Sequence, residues 1–131
     1  MKGIKIVLLA VVASLMFVCC GNNAKTPSGI AKKVLEASKN LDFTTIKQYL
    51  VEERIVELMF AESEMKNVET ANKFKNRVKG STIKVLSETI SEDRNSAVVV
   101  VKIFIKEEEP YEYSMDFVMV DGEWKVDSRI L

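Results

Sequence analysis

The sequence predicts an α+β fold, with N-terminal helices packed on a curved four-stranded antiparallel sheet. Three observations carry that reading. Apolar residues recur at helical spacing from Ser28 to about Val78. After Gly80 the period changes from helical to alternating, in four consecutive runs. Short turn signals separate those runs, so the strands pair antiparallel and the helices are left to cover one side of the sheet.

The chain opens with a segment of a different kind. Met1–Lys5 holds two lysines and no acid, and Ile6 to Cys20 follows with Ser14 as its one polar residue. A spanning helix needs about 20 apolar residues, so this run is short for an anchor and suits the core of a signal peptide. Its end, Met16-Phe17-Val18-Cys19-Cys20-Gly21-Asn22, resembles a lipobox, in which a lipid joins the thiol of a cysteine that cleavage makes N-terminal. Cys20, preceded by the small Cys19, fits better than Cys19, preceded by the branched Val18. Phe17 stands where such signals usually have leucine. The expected division is therefore a signal peptide over 1–19, a lipidated N-terminus and tether over 20–27, and one α+β domain over 28–131. Gly21–Ser28 is polar and aperiodic, as a tether should be. No aspartate follows Cys20, and by resemblance to enteric lipoproteins the protein is expected at the outer membrane, facing the periplasm.

Helices come first in the domain. Ile30, Ala31, Val34, Leu35 and Ser38 share one side, with Lys32, Lys33 and Glu36 on the other. Asn40-Leu41-Asp42 interrupts, and Asp42 is placed to cap a short second helix that turns Phe43, Ile46, Tyr49 and Leu50 inward. A third stretch starts near Glu52 with Ile55, Leu58 and Met59 on its apolar face. It continues or breaks around Glu62–Lys66 and resumes with Met65, Val68, Ala71, Phe74 and Val78. Gly80 ends it.

Strands follow. Thr82–Glu92 places Ile83 and Val85 on one face, with Leu86 and Ile90 partly on the other. Ser96–Lys106 is β-branched nearly throughout and apolar on both faces at its start, which predicts a central strand covered on both sides at one end. Val98, Val100 and Phe104 lie opposite Val99, Val101, Ile103 and Ile105, so only one set can face the helices. Tyr111–Val120 alternates Tyr111, Tyr113, Met115, Phe117 and Met119 against Glu112, Ser114 and Asp116. Asp121-Gly122 is a two-residue hairpin signal, and Glu123–Leu131 closes with Trp124 and Val126 on one face.

Composition narrows the function. Without the first nineteen residues, which include Lys2 and Lys5, the 19 basic residues of the chain fall to 17 against 19 acidic ones, a net charge of −2. That balance gives no case for nucleic acid. Histidine is absent, and with it the commonest general base and metal ligand. Both cysteines lie at 19 and 20, so the domain has no thiol for a disulfide, a zinc site or a nucleophile. The acidic runs within Glu52–Glu64 and at Glu107–Glu109 lack calcium-loop spacing and read as solvated faces. No metal and no cofactor is expected.

The order of elements, with the closing Val120-Asp121-Gly122-Glu123-Trp124-Lys125-Val126, resembles the nuclear transport factor 2-like superfamily, in which a curved antiparallel sheet wraps N-terminal helices into a cone. With the lipobox, residues 27–131 look like the small bacterial lipoproteins of unknown function that carry this fold. A cystatin-like sheet around a single helix is the nearest rival, and three helical segments favour the cone. The resemblance implies chemistry inside the cone, where the superfamily's enzymes pair Asp with Tyr or His with Asp. The second pairing cannot exist here. Tyr49, Tyr111, Tyr113, Glu88 and Asp116 are the pieces for the first, but strand alternation turns Asp116 and Glu112 away from the tyrosines. No catalytic residue is carried over. The expected role is a non-enzymatic binding or interaction module, with an enzyme acting on a small apolar substrate inside the cone as the alternative. Tyr111, Tyr113, Phe117 and Trp124 are the expected pocket lining for an apolar ligand, and the open sheet face is the expected surface for a homodimer.

Overall fold

Side-chain caps start three of the four described helices, and the helix that begins at Glu52 has none. A computed structural model describes residues 25–131. The signal segment, Cys20 and most of the tether lie outside the described residues. Helix α1 spans Pro27–Lys39, with Pro27 in its first turn and Thr26 accepting from the Gly29 amide at 3.1 Å. Its buried side carries Ile30, Ala31, Val34, Leu35 and Ser38. Leu41, at φ 54°, turns the chain, and Asp42 caps α2 (Phe43–Gln48) by accepting from Thr45 N at 3.2 Å. Helix α3 covers Glu52–Glu64. That helix ends there, and Asn67 caps α4 (Val68–Val78) by accepting from Thr70 N. Gly80 follows at φ 74°, the left-handed conformation that glycine adopts at least cost.

The sheet runs β1 (Thr82–Ile90), β2 (Ser96–Phe104), β3 (Tyr111–Val120), β4 (Glu123–Val126), each antiparallel to the next in that spatial order. Asp121 and Gly122 both take positive φ, 50° and 82°, as the two-residue hairpin between β3 and β4 requires. Between Val85 and Ser87 the β1–β2 register slips by one residue. A bulge of this kind bends the strand and reverses which side chains face inward beyond it. Ile83 and Val85 face the helices before the slip, and Glu88 and Ile90 face them after it.

The inner face is therefore a stack of rows across the sheet. Ile83, Ile103 and Tyr111 form the first, and Val85, Val101 and Tyr113 the second. Glu88, Val99 and Met115 form the third, and Ile90, Ala97, Phe117 and Val126 the fourth. Helices α1 and α2 seal the last two rows, where Val99, Met115, Phe117 and Val126 join Ile30, Val34 and Ile46 in one core. The α2–α3 link is stitched to β4 there: Val126 N donates to Tyr49 O at 2.6 Å, and Val51 N donates to Val126 O at 3.0 Å.

Three expectations are corrected. Met59 does not belong to the inward face of α3 and is 55% exposed, because Ile55, Leu58 and Met65 already occupy that side. Val68 heads α4 pointing outward and is 72% exposed. The central strand β2 is covered on one face only: Val99 and Val101 are fully buried, while Val98 and Phe104 remain on the open outer face.

Candidate functional site

Where α1 and α2 stop covering the sheet, the cone is hollow. A cavity of about 690 Å³ lies over the first two rows, within the range typical of ligand pockets. Ile83, Ile103, Ile105, Tyr111 and Tyr113 give its floor from the sheet. Leu35, Ser38 and Lys39 close it from the end of α1, Phe60, Ala61 and Met65 from α3, and Phe74, Arg77 and Val78 from α4. Arg129, Ile130 and Leu131 complete the wall. The hollow exists because α4 packs lightly: Val78 is its one buried residue, and Ala71 and Phe74 are half-buried.

Several polar groups on this wall are held by protein partners. Ser38 Oγ donates to Leu35 O at 2.7 Å, Lys39 Nζ donates to Ser81 O at 2.6 Å, and the Tyr113 hydroxyl donates to Arg129 O. Burial pushes the Tyr113 phenol above its ordinary value. Glu57 accepts from Arg54 Nη1 with both oxygens, at 3.0 and 3.1 Å, while Arg54 Nε donates to Asp127 at 3.1 Å. Those hydrogen bonds hold the Arg54 guanidinium above its usual pKa. At the edge, Arg77 forms a two-pronged fork with Glu108 at 2.9 and 3.0 Å, which raises its own pKa likewise. Among the described residues no buried side-chain nitrogen or oxygen lacks a hydrogen-bond partner. An occupant meets mainly hydrocarbon, with Lys39, Glu64, Arg77 and Arg129 among the polar side chains that also line the wall. Nor does any cluster of three or more acidic or cysteine side chains suited to a metal ion occur among the described residues.

The four residues expected to line a pocket separate into two places. Tyr111 and Tyr113 sit on the cavity floor. Phe117 is 1% exposed in the sealed core. Its distance along β3 explains this: six residues from Tyr111 is roughly 20 Å of strand. Trp124 is buried beside a separate hollow of about 470 Å³ bordered by Gln48 and Tyr49. Of the acids considered, Asp116 is exposed on the outer face, and Glu88 is buried against α1, outside the cavity. The lining that sequence reasoning missed includes Ile103 and Ile105, whose alternation with Lys102 and Phe104 was a usable signal. Arg77, Arg129 and Leu131 reach the site through tertiary packing and had no local one.

Comparison of the described fold with solved structures finds a protein from Campylobacter jejuni named a candidate NTF2-like transpeptidase. The match has a TM-score of 0.56 and 20% identity, and it covers 77% of this chain and 96% of that one. The fold is NTF2-like. No protein-family model and no curated protein matches the sequence. At this identity the likeness concerns architecture, and the NTF2-like cone here is occupied by core at one end and open at the other. No described helix is long and apolar enough to cross a membrane.

Proposed function

We propose that this chain is a lipid-anchored cell-envelope protein, attached through Cys20 at the outer membrane and facing the periplasm, whose NTF2-like cone binds a small apolar ligand without transforming it. The observation that carries this reading is the 690 Å³ hollow with a predominantly apolar lining. The enzyme alternative needs a free carboxylate beside a tyrosine. Two acids line the wall: both oxygens of Glu57 are engaged by Arg54, and Glu64 is exposed at the end of α3. The outer sheet face, with Val98, Phe104 and Val120 each more than a third exposed, supports a second role as a homodimer surface.

Two measurements test the proposal. Palmitate labelling of the intact protein is expected to disappear in Cys20→Ala and persist in Cys19→Ala, and the reverse pattern would move the anchor. Fluorescence of 1-anilinonaphthalene-8-sulfonate is expected to rise on binding the protein and to fall when Ala61→Phe intrudes into the cavity. An unchanged signal in that variant would remove the cavity as the binding site.

A further inference from the structure

We propose that the occupant of the cavity is an acyl chain of a membrane phospholipid, taken directly from the bilayer past the exposed side of α3. This rests on the anchored, ligand-binding reading above and names the ligand class. The first ground is the wall itself. Most of the lining surface is hydrocarbon, with Leu35, Ile83, Ile103, Ile105 and Phe74 among its sources, so a ligand gains chiefly from methylenes. Size agrees: a water-sized group takes roughly 30 Å³, so the hollow holds on the order of twenty such groups, enough for one long chain.

The second ground is the entrance. Val56, Met59 and Phe60 occupy one side of α3 at helical spacing and are 58%, 55% and 72% exposed. Phe60 also lines the cavity, so this stripe joins the solvent side of α3 to the cavity wall. Such a stripe is unfavourable in water and favourable against lipid. The third ground is reach. Seven residue steps separate Cys20 from Pro27, about 25 Å when extended, so the anchor holds the domain within contact of the bilayer. The rim mixes Lys39, Arg77 and Arg129 with Glu57 and Glu64, which offers neither sign of headgroup an advantage. Binding should follow the chain, with the headgroup left in water.

The test uses the full-length lipidated protein in vesicles of phosphatidylethanolamine and phosphatidylglycerol. Trp124→Phe removes the single native tryptophan, and Phe74→Trp places a reporter on the wall. Phospholipid brominated on the acyl chain is expected to quench this reporter equally with either headgroup, and to quench it little once Ala61→Phe is added. Replacing Val56 and Met59, neither of which lines the cavity, together by serine is expected to slow loading from vesicles about tenfold, equivalent to roughly 1.4 kcal/mol. Loading from lipid dispersed in detergent should not change. Both residues are exposed, so the fold is spared. Quenching by brominated fatty acid but not by brominated phospholipid would overturn the bilayer source while leaving the apolar cone intact. No quenching by either, with the naphthalene dye still bound, would overturn the acyl chain alone. Loss of dye binding as well would take the ligand-binding reading with it. If the serine pair instead dissociates a dimer and leaves loading unchanged, the stripe is a protein interface and the entrance proposal fails.

Discussion

The most informative single residue is Glu88. It is 2% exposed, and its carboxylate accepts from both the amide and the hydroxyl of Ser28, at 2.8 and 2.7 Å. Ser28 lies in the first turn of α1, where backbone N–H groups lack helical partners and the helix dipole favours an anion. One side chain thus fastens the sheet to the start of the helix. Glu88→Ala is expected to cost about 1–3 kcal/mol, read as a lower denaturant midpoint, and Glu88→Gln less because an acceptor remains. A midpoint unchanged in Glu88→Ala would mean the contact is not made in solution. Sequence could not place this residue, since strict alternation from Ile83 and Val85 turns it outward and no residue type marks the bulge that turns it in. Tyr113 gives a second prediction. Folding raises its pKa above the ordinary value of 10.0, so the preference for the neutral phenol is fully present below that pH and is lost as pH rises through the folded-state value. Melting temperature should therefore fall on the alkaline side of pH 10, and Tyr113→Phe should flatten that limb while costing about 0.5–1.5 kcal/mol at neutral pH through its lost hydrogen bond.

At the scale of elements, α3 shows why periodicity reveals a helix and not its environment. It carries two apolar stripes, Ile55, Leu58 and Met65 against Val56, Met59 and Phe60, and only packing decides which is covered. The same holds for α4, whose pattern promised a docked helix and whose packing delivers a lightly held wall. Hydrogen exchange should rank the helices accordingly, with α4 amides the fastest and α1 amides among the slowest. Equal protection in both would show that α4 is packed as firmly as the core. By contrast, some terminal signals were legible, since Asp42 caps α2, Gly80 follows α4, and Asp121-Gly122 makes the hairpin, whereas the caps Thr26 and Asn67 were not singled out.

For the molecule as a whole, the sheet has a firm end and a hollow end, and mutational cost should follow that gradient. Phe117→Ala, in the sealed fourth row, is expected to cost about 3–5 kcal/mol, whereas Tyr111→Ala, in the first row and 44% exposed, should cost far less. Comparable losses at the two sites, measured by chemical unfolding, would mean that the hollow collapses in solution. The α+β order was legible because hydrophobic period and turn chemistry are local. The hollow was not, because it arises where helices end relative to strands, a property no single segment carries. One feature at that open end links the protein to its surroundings. The fork between Arg77 and Glu108 joins α4 to the β2–β3 turn through side chains that are 51% and 37% exposed, within reach of dissolved ions. Exposed pairs of this kind are worth up to about 1 kcal/mol and weaken as salt screens them. Exchange of a bound dye should therefore quicken with sodium chloride in the wild type, and Glu108→Gln should be fast and indifferent to salt. The saltiness of the medium would then act as a throttle on how quickly the protein trades its cargo.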